Sequence, residues 1–390
     1  MASNRTTASP PADGAAAPTR PRLYYLDNLR VALTVLVVLH HAAIAYGNIA
    51  MWYYVEPADD PSGLLLDVFN ALNQTFFMGF FFMIAGFFTP GSHDRKGARG
   101  FIGGRLVRLG VPLLLFVVLF RPLLGLGDYL ADPGGTPFWR YAVANMDPGP
   151  MWFVATLLVF ALAYVLIRRF APEREAAAAP AAQVVPAGPA GAIGPLAVTG
   201  SVALLIAVTY LWRIMVPSGT SIAGVLPTPA YMPQYVLLFA AGVLAFRKGW
   251  FDAVPRWAGW GGAAAALFMV PVYVLVITVL GDPAALQPGS WQTLAVAATE
   301  STLAAGTVLA LSALFQRRFN RRSAVGRFLS DHAYAVYFLH PAVLVGLNHA
   351  FSEWEAPAVA KFAAVGALAL PLCWGAAYLL RSLPRADRVF

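Results

Sequence analysis

Long apolar runs separated by short polar stretches set the plan of this chain. Ten runs can be marked, near 23–47, 67–90, 109–127, 151–168, 195–216, 231–247, 257–280, 291–316, 328–350 and 357–380. Each comes close to the ~20 residues that a helix needs to cross the hydrocarbon core of a bilayer. Backbone polar groups in hydrocarbon must be satisfied within their own segment, so such runs form helices. The pattern predicts an all-α fold: a polytopic helical membrane protein of about ten transmembrane helices.

The basic residues give these crossings a direction. Arg20 and Arg22 precede the first run; Arg95, Lys96, Arg99, Arg105 and Arg108 follow the second; further groups follow the fourth, sixth, eighth and tenth. On an alternating path all of them fall on one side, while Glu56, Asp59, Asp60, Asp128, Asp132, Asp147, Glu353 and Glu355 fall on the other. Because basic loops stay inside, both termini are expected in the cytoplasm. Residues 1–22 read as a disordered cytoplasmic tail, 23–380 as the transmembrane domain, 171–194 as an Ala/Pro/Gly cytoplasmic linker and 381–390 as a second tail. The outer loops leave no room for a folded domain, and no internal repeat is visible.

Composition narrows the class further. Hydrophobic residues make up 59% and charged residues 12% of the 390, the latter about half the usual soluble share. The net charge of +8 is absorbed by the orientation signal, so no nucleic-acid partner is expected. Cys373 is the single cysteine, which excludes an intramolecular disulfide and a cysteine metal cluster; no metal is predicted.

Chemistry enters through the first run, LYYLDNLRVALTVLVVLHHAAIAYG, which carries Asp27, Arg30, His40 and His41. Eleven residues turn a helix about three times with roughly 20° to spare, so Arg30, Thr34, Val37 and His41 share one stripe. Arg30 and His41 lie about 16 Å apart along the axis, with Asp27 one turn before Arg30. Ionisable groups in hydrocarbon survive mainly beside a polar cavity or a partner. Either this stripe faces a site, with a neutral imidazole as general base, or it holds a snorkelling arginine and a histidine bonded to another helix. His40 points about 100° away and reads as structural.

Other polar groups are candidates for the same site. Arg105 and Arg108 share a face at the inner surface, suited to phosphates or, equally, to anchoring at lipid headgroups. His340 precedes Pro341 and follows Tyr334 and Tyr337 in the ninth run; these line a site or pack around a proline kink. Glu300 is a carboxylate inside the eighth run and needs a partner, Arg30 or a histidine among the options. Asp67, Asn70, Asn73 and Gln74 give the second run a polar face, either a path for a hydroxylated acceptor or interhelical glue. Trp152 reads as an interfacial belt residue or a ligand stack.

Taken together these segments resemble the acyltransferase family 3 membrane proteins. Arg30, ten residues and His41 within YLDNLRVALTVLVVLHH look like the family's opening motif. FFFMIAGFFTP resembles its Phe-rich second span, GRLVRLGVPLLLF its arginine-rich lead-in to the third, and AYAVYFLHPAVL its late Tyr-and-His helix. In MWFVATLL, Met151 stands before Trp152 where the family often has a histidine. The ten-span shape and LDNLR opening look closest to the glucan biosynthesis protein C-like branch. Some relatives carry an extracytoplasmic esterase-like domain, and none is expected within these residues.

The resemblance implies an enzyme of the inner membrane that moves an acetyl, succinyl or similar group from cytoplasmic acyl-CoA to a hydroxyl of a carbohydrate or lipid-linked glycan. Under it His41 is general base or transient acyl carrier, Arg30 orients it or the donor, and Arg105 and Arg108 hold donor phosphates. Asp27, Asn73, Trp152, Glu300, Tyr337 and His340 are expected to line the site. The rival reading is a proton-coupled secondary transporter whose buried His, Arg and Glu relay protons.

Overall fold

A computed structural model of the chain describes residues 22–49, 51–132, 134–170, 193–222, 226–280 and 286–390. The polar tail before residue 22 and the linker over 171–192 lie outside them. Among the described residues nine long helices carry the fold: α1 (Tyr24–Tyr46), α2 (Gly63–Arg105), α3 (Trp152–Phe170), α4 (Pro195–Met215), α5 (Met232–Lys248), α6 (Arg256–Leu280), α7 (Trp291–Arg318), α8 (Ala324–Ala350) and α9 (Ala358–Ser382). Among the described residues there is no strand, only an isolated bridge between Ile222 and Leu226.

Eight helical runs among the described residues are long and apolar enough to span a membrane, and the chain is a multi-pass membrane protein. One of the eight, 63–131, is 69 residues long and makes two crossings. It breaks at Gly97, whose φ of 65° and ψ of 170° leave the helical region. A side chain there would be strained, so glycine is what lets the chain reverse. The returning limb then packs against the outgoing one: Arg105 donates to Thr89 Oγ1 at 3.4 Å, and Phe101 meets His93 at 5.7 Å. Widened π-type turns at Leu106–Gly110 and Phe116–Phe120 follow. The remaining crossing, α8, is too polar to pass on apolarity and packs between α1 and α9.

α1 sits at the centre, against α2, α7, α8 and α9. Of its apolar window 61% is buried, against 6% for α6, which places α6 at the lipid-facing rim. The loops gather at alternate ends. At one, Tyr25 donates to the Phe251 carbonyl at 2.9 Å, Asn28 to the Phe319 carbonyl at 2.6 Å, and Arg247 pairs with Asp94 at 2.8 Å. At the other, Lys361 pairs with Glu56, Asp60 accepts from Ala358 N at 2.8 Å, and Arg121 pairs with Asp147 at 2.6 Å. The first end collects the arginine-rich loops, as the charge pattern requires.

α2 and α5 approach closely through two glycines. A Cβ on Gly86 would overlap the Phe239 carbonyl oxygen, and one on Gly242 the Met83 carbonyl oxygen. Small residues at such crossings let backbones touch, the main attraction between helices in lipid. Gly242→Ala is therefore expected to destabilise the purified protein by about 1–3 kcal/mol, the usual range for overpacking. Gly200→Ala on α4, where a Cβ meets nothing within 4 Å, is the control. A thermal midpoint for Gly242→Ala equal to that of the control would refute the close crossing.

Candidate functional site

A cavity of about 590 Å³ opens at the arginine-rich end. Its mouth carries Arg22, Arg30, Arg95, Lys96, Arg105, Arg108 and Arg381 against two carboxylates, Asp27 and Asp331. Asp27 takes a hydrogen bond of 2.9 Å from Arg22 and lies 3.8 Å from Arg30. That hydrogen bond holds the Arg22 guanidinium above its ordinary range. Arg105 is drawn against the Phe101 ring, 5.2 Å from its centroid. The helix widening at Leu106–Gly110 is a local change of pitch of the sort that re-aims side chains. Deeper in, the walls turn apolar and aromatic: Met78, Phe81, Ile84, Phe153 and Leu157 from α2 and α3, and Tyr334 and Tyr337 from α8.

The stripe read from the sequence runs up one wall. Arg30 and Thr34 line the cavity; Val37 and His41, farther along α1, do not. His41 instead meets His340 of α8. His41 Nδ1 lies 2.9 Å from the Val37 carbonyl and 3.2 Å from His340 Nε2, and His340 Nδ1 lies 2.7 Å from the Tyr337 carbonyl. A carbonyl only accepts, so each Nδ1 carries the proton. The His340 Nε2 lone pair then accepts from His41 Nδ1–H. His41 Nε2 is left with its lone pair and makes no hydrogen bond among the described residues. A base needs that arrangement.

Aromatic rings close the pair in. Trp52, from the loop beyond α1, stacks on the His41 imidazole at 4.2 Å and lies 6.1 Å from that of His340. On the cavity side Tyr337 lies 5.8 Å from His340, and its hydroxyl donates to the Pro150 carbonyl ahead of α3. Tyr337 thus both lines the cavity and packs beside His340.

The other candidates fall in different places. His40 faces Phe77 at 4.8 Å and receives the Asn70 amide, consistent with a structural part. Gln74 donates to Tyr235 of α5 at 3.4 Å; Asn73 is buried with its amide nitrogen unpartnered among the described residues. Trp152 is packed near Phe82 and Tyr235 and does not line the cavity. Glu300 is also remote from it. Neither Arg30 nor a histidine is its partner: it accepts from Arg213 at 2.6 Å, Tyr231 at 2.9 Å and Tyr273 at 3.2 Å. Arg213 did not enter the sequence reading; the signal that could have found it is a lone cation within the fifth apolar run, which needs a buried partner. Trp52, in an interhelical loop, gave no signal. Among the described residues no three His, Cys, Asp or Glu side chains converge as a metal site.

A family model described as an acyltransferase domain matches residues 23–378. The match is to the family as a whole, and nothing in it singles out the glucan biosynthesis protein C-like branch. No curated protein and no solved structure matches the chain.

Proposed function

Since the chain belongs to this acyltransferase family, with nearly its whole length matched, we propose that it transfers an acyl group from cytoplasmic acyl-CoA to a hydroxyl of a carbohydrate or lipid-linked glycan at the inner membrane. The observation that carries this reading is the cationic cavity that stops at Tyr337, next to the His41–His340 pair. Guanidiniums at the mouth suit the phosphates of coenzyme A. The apolar walls suit its thioester arm, which reaches the imidazoles once the Tyr337 ring swings aside. The mouth then faces the cytoplasm, in keeping with the basic loops around it.

The chemistry balances with the residues present. His41 Nε2 takes the proton of the acceptor hydroxyl as the oxygen attacks the thioester carbonyl carbon. The C–O bond forms, the C–S bond breaks, and the departing thiolate receives the proton from the imidazolium. His340 accepts from His41 Nδ1–H throughout, so it fixes the tautomer and steadies the positive charge. Arg30 sits about three turns from His41, so its part is with the donor at the mouth and not with the base.

Arg105→Gln and Arg108→Gln test the donor assignment. Each loses a charged hydrogen bond of roughly 1.5–3 kcal/mol, so the donor KM is expected to rise about tenfold or more per arginine, with kcat little changed. An unchanged KM would leave both as lipid anchors. Titration of purified protein with acetyl-CoA tests the class: an acyltransferase of this design binds it, and a proton-coupled carrier does not.

A further inference from the structure

The cavity has one wall that the reaction outlined above does not use. After α9 ends at Ser382 the chain hooks back toward the bundle. Arg385 takes a φ of 66°, the one positive value at a non-glycine residue among those described. A single tight turn over Ala386–Arg388 follows, and Phe390 N donates to the Ala386 carbonyl at 2.8 Å. The hook sets the Phe390 ring 4.9 Å from Phe338 and 6.1 Å from Tyr334. Phe390 and Val389 line the cavity. A left-handed arginine is a conformation that persists where surrounding contacts hold it.

Tyr334, Tyr337 and Phe338 occupy one face of α8, three and four residues apart. An acyl group approaching Tyr337 from the mouth therefore passes beside Phe390. We propose that Phe390 is a specificity-determining wall of the donor cavity, which fills the space beside Tyr334 and restricts the donor to a short acyl chain. The proposal rests on the acyl-CoA reading. It adds which part of the chain selects the acyl group.

The test compares acetyl-CoA and octanoyl-CoA binding to the purified full-length chain by titration calorimetry. The wild-type protein is expected to bind acetyl-CoA more tightly. Phe390→Ala vacates the volume of a phenyl ring, and each methylene buried there is worth about fourfold in affinity. The affinity ratio is expected to shift at least tenfold toward octanoyl-CoA, while Phe390→Trp keeps the preference for acetyl-CoA. Phe390→Leu, a milder change, serves if the alanine variant is unstable and should shift the ratio in the same direction. Binding of both donors with an unchanged ratio in the alanine or leucine variant overturns this proposal alone. Failure of the wild-type protein to bind either donor overturns the acyl-CoA reading, and this proposal with it.

Discussion

Purified His41→Ala protein is expected to lose acyl transfer by about a hundredfold to ten-thousandfold, the usual contribution of a positioned general base. On the proposed reading its affinity for acyl-CoA should hardly change, because His41 does not line the cavity. The same geometry predicts a graded result at His340. His340→Leu removes the acceptor for His41 Nδ1–H, so the imidazole loses its steadied tautomer and kcat falls, with donor KM unchanged. His340→Gln keeps an oxygen able to accept that hydrogen bond and should recover part of the loss. Thiol release from acetyl-CoA, measured in the presence of an acceptor glycan preparation, reads all three variants. Full turnover by His41→Ala would end the general-base assignment, and equal losses in the leucine and glutamine variants would reduce His340 to packing.

The second large effect concerns folding and not chemistry. Arg213 is 1% exposed and Glu300 7%, and the pair is joined at 2.6 Å. Replacing one partner leaves the other as an uncompensated buried charge, which costs about 3–5 kcal/mol. Arg213→Leu is therefore expected to give a protein of sharply reduced thermal stability. Replacing a buried pair by apolar residues is often neutral, so Arg213→Leu with Glu300→Leu should recover much of the loss. The recovery is incomplete, because the Tyr231 and Tyr273 hydroxyls lose the carboxylate they donate to. Thermal unfolding of the detergent-solubilised variants, followed by tryptophan fluorescence, decides it. A double variant no more stable than the single one would show that the two charges do not act on each other. The pair also weakens the transporter reading, since Glu300 is spoken for by three donors away from the cavity.

The crossings were legible because a hydrocarbon environment imposes a length and an apolarity on each of them, and charge then orders their direction. Helix ends were less so. The ninth run was placed at 328–350 and α8 begins at Ala324, because the Ser323 side chain accepts from Gly326 N and caps the helix ahead of its apolar part. The third crossing starts well before residue 109, since Gly97 and not hydropathy decides where the chain turns back. The Arg30–His41 stripe followed from helical spacing alone. That His41 would find His340 did not, for the two lie 299 positions apart and only packing brings α1 against α8. Glu300 announced that it needed a partner, yet Arg213 on α4 could be chosen only once the helices were assembled.

The rings of Tyr337 and Trp52 bear on the cell as much as on the reaction. A deep aqueous funnel that met an opening on the far side would puncture the permeability barrier and dissipate ion gradients. Two aromatic rings flank the imidazoles, one held by the Pro150 carbonyl and one lying flat on His41, and neither imidazole lines the cavity that opens at the arginine-rich end. On the proposed reaction, the same seal would keep a bound thioester from idle hydrolysis.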